Sequence, residues 1–251
     1  ASGVNERFLF VKSDYTINDG NNGGNYAVTA FAANGTINKA DLILSAVADT
    51  KTYDGTTSST ATVAKIGLKG TDTVTATQSF DSKNASAANG RLLSVDTGYT
   101  INDERNGGNY NVTIQTANGT INKAALTLSA ATDTRTYDGT TASDEVVTVA
   151  GLKGTDTVSA SQSFSSKNAL GTGGSSLIVG TDYAVDDGNG GGNYTVTTQT
   201  ATGTIDKAAL TLAAVADTKT YDGTASSTGT VTASGLQGSD SVSGTRQSFA
   251  S

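Results

Sequence analysis

The sequence contains no cysteine, histidine, methionine, tryptophan or proline. Without cysteine there are no disulfides, thiolate metal sites or cysteine nucleophiles. Without histidine, imidazole acid–base chemistry and most zinc and copper sites are excluded. Basic residues are scarce too. Sixteen Lys and Arg against 23 Asp and Glu, a formal net charge of −7, leave no electrostatic footprint for nucleic acid. No apolar run approaches the roughly 18–20 residues of a membrane-spanning helix. Nucleic acid as a partner, a membrane span and His- or Cys-dependent catalysis are therefore not expected.

What the 251 residues do contain is abundant Gly, Ser, Thr and Asn, and a strict repeat. Thr-Tyr-Asp-Gly begins at Thr52, Thr136 and Thr220. Gly-Asn-Tyr ends at Tyr26, Tyr110 and Tyr194, and Gly-Thr-Ile-Asn/Asp-Lys-Ala ends at Ala40, Ala124 and Ala208. Each interval is 84 residues. Gln-Ser-Phe ends at Phe80, Phe164 and Phe249, the last displaced by one residue inserted within 243–246. In register, 41–124 and 125–208 agree at 50 of 84 positions, which identifies one module in tandem. The sequence starts and stops at one phase of this repeat, so it is expected to be an excerpt of a longer array.

Within a unit the apolar pattern has period two, the signature of strands. Leu126, Leu128 and Ala130 alternate with Thr127 and Ser129. Tyr110, Val112 and Ile114 alternate with Asn111, Thr113 and Gln115, and Leu93 and Val95 with Leu92 and Ser94. Thr-rich strands suit a pleated surface with one face in water. No window carries a helical stripe. Turn chemistry separates the runs: Asp54-Gly55 and its copies, Gly67–Asp72 and its copies, and the wider Gly-Asn loop at 18–25 and its copies. The expected fold is all-β, with tandem Ig-like or Greek-key β-sandwich modules on the 84-residue repeat arranged as an elongated rod. A solenoid is disfavoured, because one coil takes only about 20–45 residues.

The run Thr120–Leu126 joins two strand patterns without a flexible spacer, so module boundaries are placed at Ala40, Ala124 and Ala208. This gives complete repeat modules at 41–124 and 125–208. Residues 1–40 become the C-terminal half of a module and 209–251 the N-terminal half of another. A half-sandwich leaves an open core and an unpaired edge. Either such halves complete each other between molecules, or the phase is nearer 1–84, 85–168 and 169–251.

Lys/Arg-Thr-Tyr-Asp-Gly-Thr (51–56, 135–140, 219–224), a downstream Gly-Leu-x-Gly-x-Asp, and Asn-Tyr ahead of an Ile-x-Lys-Ala strand resemble the YDG-type repeat of large secreted or surface bacterial adhesins, including filamentous-haemagglutinin-like proteins. The resemblance covers essentially the whole chain. It implies an Ig-like β module strung in tandem as a stalk, without enzymatic activity, and it brings no catalytic or ligand-binding residue. Many such arrays carry proline, and this one has none.

Several residues invite chemistry and are weighed against plainer roles. Tyr53, Tyr137, Tyr221, Tyr26, Tyr110 and Tyr194 could stack on sugars. Their identical placement in each copy, with Phe80 and its equivalents, instead fits a small aromatic core. Asp49/Asp54, Asp133/Asp138, Asp217/Asp222, Asp19 and Asp186/Asp187 supply oxygen ligands that a calcium ion would accept. The second loop, however, reads Asn102-Asp103-Glu104-Arg105-Asn106, and no string has EF-hand spacing. Turn-forming Asn and Asp explain these loops, and neither metal nor other cofactor is expected.

Lys39, Lys123 and Lys207 stand near Asn and Asp, which raises a Lys–Asn cross-link; that chemistry needs a buried lysine. Asp186-Asp187 and Asp144-Glu145 do not recur in every copy and read as solvated charge rather than paired glycosidase acids. One departure from the repeat is aromatic. Phe8, Phe10 and Phe31 replace Leu92, Ser94 and Gln115 of the next copy, on the face opposite Leu9, Val11, Tyr26 and Val28. They are expected to form an interaction patch in the first unit.

The function expected from these features is a non-catalytic stalk or spacer of a secreted or surface-attached bacterial adhesin or fibre. Its partners would be neighbouring repeats of the same chain or other copies head to tail. Two alternatives are kept: a self-assembling extracellular filament completed between half-modules, and an adhesin module binding host or matrix glycans or a receptor.

Overall fold

Strand-period alternation in a Thr-rich chain puts the large apolar groups on one side of each segment. The computed structural model, which describes residues 7–250, is accordingly all-β, with no helix among the described residues. The chain divides into two compact units, Ala1–Asn122 and Lys123–Ser251. Residues 1–6 and 251, which belong to the two terminal half-modules of the sequence reading, lie outside the described residues.

In the first unit, strand Ala40–Ser45 is flanked by Tyr110–Gln115 in parallel and Ala64–Ile66 in antiparallel pairing. A second sheet has the order Thr50–Thr52, Ala117–Asn122, Arg91–Val95, Gln78–Phe80. Its first pair is parallel and the other two are antiparallel. Thr73–Thr75 and Thr100–Asn102 make a small antiparallel ribbon. In the second unit the corresponding segments pair alike: Ala124–Ser129 lies between Tyr194–Gln199 and Thr148–Ala150. Asp133–Thr136, Ala201–Asp206, Gly171–Val179 and Gln162–Phe164 form the second sheet.

The parallel pairs are not apparent from period-two alternation, which is the same for either strand direction. Each requires a long connection, here most of a repeat, from Ser45 to Tyr110.

Side-chain parity follows the sequence reading in the central strands. Leu42, Leu44, Leu126 and Leu128 are fully buried, and Leu93 and Val95 point inward while Leu92 and Ser94 face solvent. Tyr53, Phe80 and Ile121 join the first core; Phe164, Leu177 and Ile205 cluster in the second, with Tyr137 packed against them. Ile114 departs from the inward pattern and is exposed, although Leu44, paired with it on the neighbouring strand, is fully buried.

Two glycine positions are steric necessities. A Cβ on Gly119 would lie 2.8 Å from the Phe80 ring and 2.7 Å from the Asp49 carbonyl oxygen, and one on Gly203 would lie 2.6 Å from the Phe164 ring. The aromatic ring packs directly on bare backbone. Gly67 and Gly151 adopt φ of +108° and +106°, and a Cβ on either would sit within 2.3 Å of a carbonyl oxygen on the neighbouring strand.

Candidate functional site

The Tyr-Asp-Gly motif folds into a turn that binds itself. Tyr53 points into the core, and Gly55 takes φ +84° to let the chain reverse. Asp54 Oδ1 accepts from the Thr56 amide and hydroxyl, both at 2.9 Å, and from Lys51 Nζ at 2.8 Å. Lys51 also donates to the carbonyls of Thr56 and Ser58, at 2.8 and 3.0 Å, and stands 5.6 Å from the centre of the Phe80 ring. Lys219, Asp222 and Thr224 repeat the arrangement, and Arg135 pairs with Asp138 in the middle copy. Partial burial pushes the Asp54 carboxyl up, but Lys51 and the Thr56 donors outweigh it and hold the group below its ordinary value. Lys219 does the same for Asp222.

A second carboxylate organises each Gly-Asn loop. Asp103 accepts the amides of Arg105, Gly107 and Asn109 at 3.0, 2.7 and 3.0 Å. Asp187 accepts those of Asn189, Gly191 and Asn193 at 2.7, 2.9 and 3.0 Å, and Asp19 those of Asn21, Gly23 and Asn25. Desolvation raises Asp103 and Asp187, yet three amides per carboxylate carry both below the usual carboxylate range. These carboxylates are occupied in holding backbone. Of the pair Asp186-Asp187 only Asp187 is buried, and Asp186 faces solvent.

The third loop carboxylate meets the closing tyrosine. Tyr110 donates its hydroxyl to Asp72 Oδ2 at 2.6 Å and accepts from the Lys69 amide at 2.9 Å. Tyr194 does the same with Asp156 and Lys153, at 2.6 and 2.8 Å. The hydrogen bond that Tyr110 donates to Asp72, with desolvation, raises the hydroxyl above its ordinary pKa, since ionisation would remove the donated proton.

A fourth element was not read from the sequence, although its motif was used as a repeat marker. Gln78 is buried and its amide spans both backbone groups of Val47 and the Ser59 hydroxyl. Gln162 makes the same three bonds to Ala131 and Ser143, and Gln247 to Val215 and Ser227. That serine then donates to Asp49, Asp133 or Asp217, at 2.6, 2.7 and 2.6 Å. Recurrence of Gln at a strand position was the available signal, since a buried amide requires partners.

The remaining sequence candidates are scattered. Lys39, Lys123 and Lys207 are all exposed, so the buried lysine that an autocatalytic cross-link demands is not provided. Asp144 and Glu145 are exposed as well. Phe8 and Phe10 lie with ring centres 6.3 Å apart, and Phe31 is not part of that contact; all three are strongly exposed. Among the described residues, no three acidic side chains converge as a cation site.

Two stretches of the chain, residues 38–119 and 122–202, match the YDG domain family. No curated protein and no solved structure is matched. The chain belongs to the YDG domain family.

Proposed function

We propose that this YDG-domain chain is a non-catalytic structural spacer, built of Ig-like β-sandwich modules on the 84-residue period and extended as a rod. Its setting on this reading is a large secreted or surface-attached bacterial adhesin or extracellular fibre, with neighbouring repeats as its partners. One observation carries the reading: the polar side chains that recur from copy to copy are bonded to their own turns and strands. Lys51, Asp54 and Asp103 spend their hydrogen bonds within their own turns, and Gln78 spends its own on the Val47 backbone and Ser59 of the same repeat. What repetition preserves is a framework rather than a reacting constellation.

The strand pairings inside 40–122 and 124–206 support modules at 41–124 and 125–208. Within the second unit, the Tyr137 hydroxyl reaches Asp240 at 2.9 Å and ties the module at 125–208 to the residues that follow it. Such a bond stiffens a joint. The lack of Cys, Met and Trp makes the array indifferent to oxidants, as suits a surface setting.

The test is dimensional. Each module should add roughly 35 Å if its strands run along the rod at about 3.3 Å per residue. Small-angle scattering of the protein should return a long, thin particle, and a nearly spherical one would remove the proposal. A second reading, an adhesin module for a glycan or receptor, draws on the exposed Phe8, Phe10 and Phe31. Ligand capture on a glycan array that is lost on changing all three to serine would favour it.

A further inference from the structure

The loop carboxylates hold some amides and leave one open. Asp103 Oδ1 takes the amides of Arg105 and Gly107, and Asp187 Oδ1 takes those of Asn189 and Gly191. The residue between each pair, Asn106 or Gly190, is not gathered. The amide that follows Asn106 is therefore that of Gly107, held by Asp103 at 2.7 Å. Asn22 stands likewise, with the Gly23 amide held by Asp19 at 2.8 Å. In the copy at 125–208 the asparagine comes one position earlier. The amide that follows Asn189 is that of Gly190, and among the described residues nothing accepts from it.

An open amide after asparagine has a chemical consequence, because an Asn-Gly pair closes on itself. The glycine nitrogen attacks the asparagine side-chain carbonyl carbon. The bond from that carbon to the side-chain nitrogen breaks, ammonia leaves, and a five-membered succinimide ring forms. Water then opens the ring at one carbonyl to give aspartate, or at the other to give isoaspartate, in which the chain runs through the side chain. Glycine favours closure, since it has no Cβ to obstruct the ring. The attacking nitrogen must give up its hydrogen bond, so an amide donating to a carboxylate reacts about tenfold more slowly, or slower still.

The other Asn-Gly pairs are restrained as well. The Gly90 amide donates to the Ala87 carbonyl at 2.9 Å. Asn118-Gly119 and Asn34-Gly35 lie in strands Ala117–Asn122 and Ala33–Gly35, where sheet pairing fixes the backbone that the ring must bend. Asn189 and Gly190 are both exposed, and a Cβ on Gly190 would meet nothing within 4 Å. Asn189 Nδ2 donates to Asn193 Oδ1 at 3.1 Å, a bond that engages the nitrogen that leaves and not the carbonyl that is attacked.

We propose that Asn189 is a site of spontaneous deamidation, singled out from the six Asn-Gly pairs of the chain by the open amide of Gly190. The aspartate product adds a negative charge beside Asp186 and Asp187. The isoaspartate product lengthens the main chain by one carbon between the two amides that Asp187 Oδ1 holds, and loosens that cradle. The loop at 187–193 thus ages, while the loop at 103–109, with Arg105 in the corresponding place, keeps its path. This goes beyond the spacer reading, and its failure would leave that reading standing.

Peptide mapping by mass spectrometry of the whole protein, held folded in mildly alkaline buffer, tests the proposal. The peptide carrying Asn189 should gain one mass unit, with isoaspartate among the products, about tenfold or more ahead of those carrying Asn22 and Asn106. Unfolded in urea, where no carboxylate holds an amide, the three sites should react at similar rates. Exchanging the loop order should move the reactivity. Asn189→Arg with Gly190→Asn should make the second loop as inert as the first, and Arg105→Asn with Asn106→Gly should make the first reactive. The proposal is overturned if Asn22 or Asn106 keeps pace with Asn189 in the folded protein. It is equally overturned if Asn189 reacts only when unfolded, or if the exchanged loops keep their original rates.

Discussion

Gln78 and Val47, thirty-one residues apart, exchange two hydrogen bonds of 2.7 Å, the glutamine amide standing in for a strand that the Val47 backbone lacks. Gln78→Ala would leave both Val47 groups and the Ser59 hydroxyl short of a partner. The expected cost is about 2–3 kcal/mol, read as a lower urea midpoint for the unit Ala1–Asn122. Equal midpoints for variant and parent would refute the assigned role.

The bare backbone under each phenylalanine gives a graded prediction. Gly119→Ala and Gly203→Ala press a methyl into a ring and a carbonyl oxygen, and each should destabilise by about 1–3 kcal/mol. At Gly35, the corresponding place in the first copy, the nearest neighbour is the flexible tip of Leu9, so Gly35→Ala should be milder. Thermal melts of the three variants decide whether that order holds.

The motif tyrosine occupies different surroundings in different copies. Tyr53 is 1% exposed, and truncation to alanine should cost about 3–5 kcal/mol, in line with other large aromatic deletions. Tyr221 is 91% exposed in the isolated chain, so Tyr221→Ala should leave its melting curve unchanged. If the two variants melt alike, the burial difference carries no weight.

Acid and alkali should act through separate groups. Asp49, Asp54, Asp103 and Asp187 titrate below their ordinary value of 3.8 in the folded chain. Their stabilisation is complete above 3.8 and is lost as pH falls through the lower folded-state values. Tyr110 and Tyr137 titrate above 10.0, so their contribution is complete below 10.0 and is lost as pH rises through the higher folded-state values. The denaturation midpoint should therefore stay level between these limits and fall on both sides. Asp187→Asn should shrink the acid limb; an acid limb as steep as the parent's would argue against the amide cradle.

Periodicity made the repeat, the inward face of the central strands and the three turns legible, because each depends on residues close in sequence. Asp54-Gly55 announces its turn, and Leu126 and Leu128 announce their face. Strand direction was not legible, since parallel Tyr110–Gln115 and an antiparallel alternative have the same alternation. Nor was the choice between Asp186 and Asp187, which depends on which carboxylate the loop amides surround. The lysines raised for cross-linking could be judged only when their exposure was known. Gln78 was visible as a letter and silent as a role, because its partners Val47 and Ser59 lie 31 and 19 residues away in the sequence.

In each Gly-Asn loop one carboxylate gathers three backbone amides, a hold that does not draw on the side chains at positions 104 and 106 or their equivalents. Glu104 and Asn106 therefore sit at φ +64° and +52° where the following copy has Gly188 and Gly190. Outer residues can change from one repeat to another while the loop's path stays fixed. A long array made this way can vary its outward appearance at little expense to its architecture.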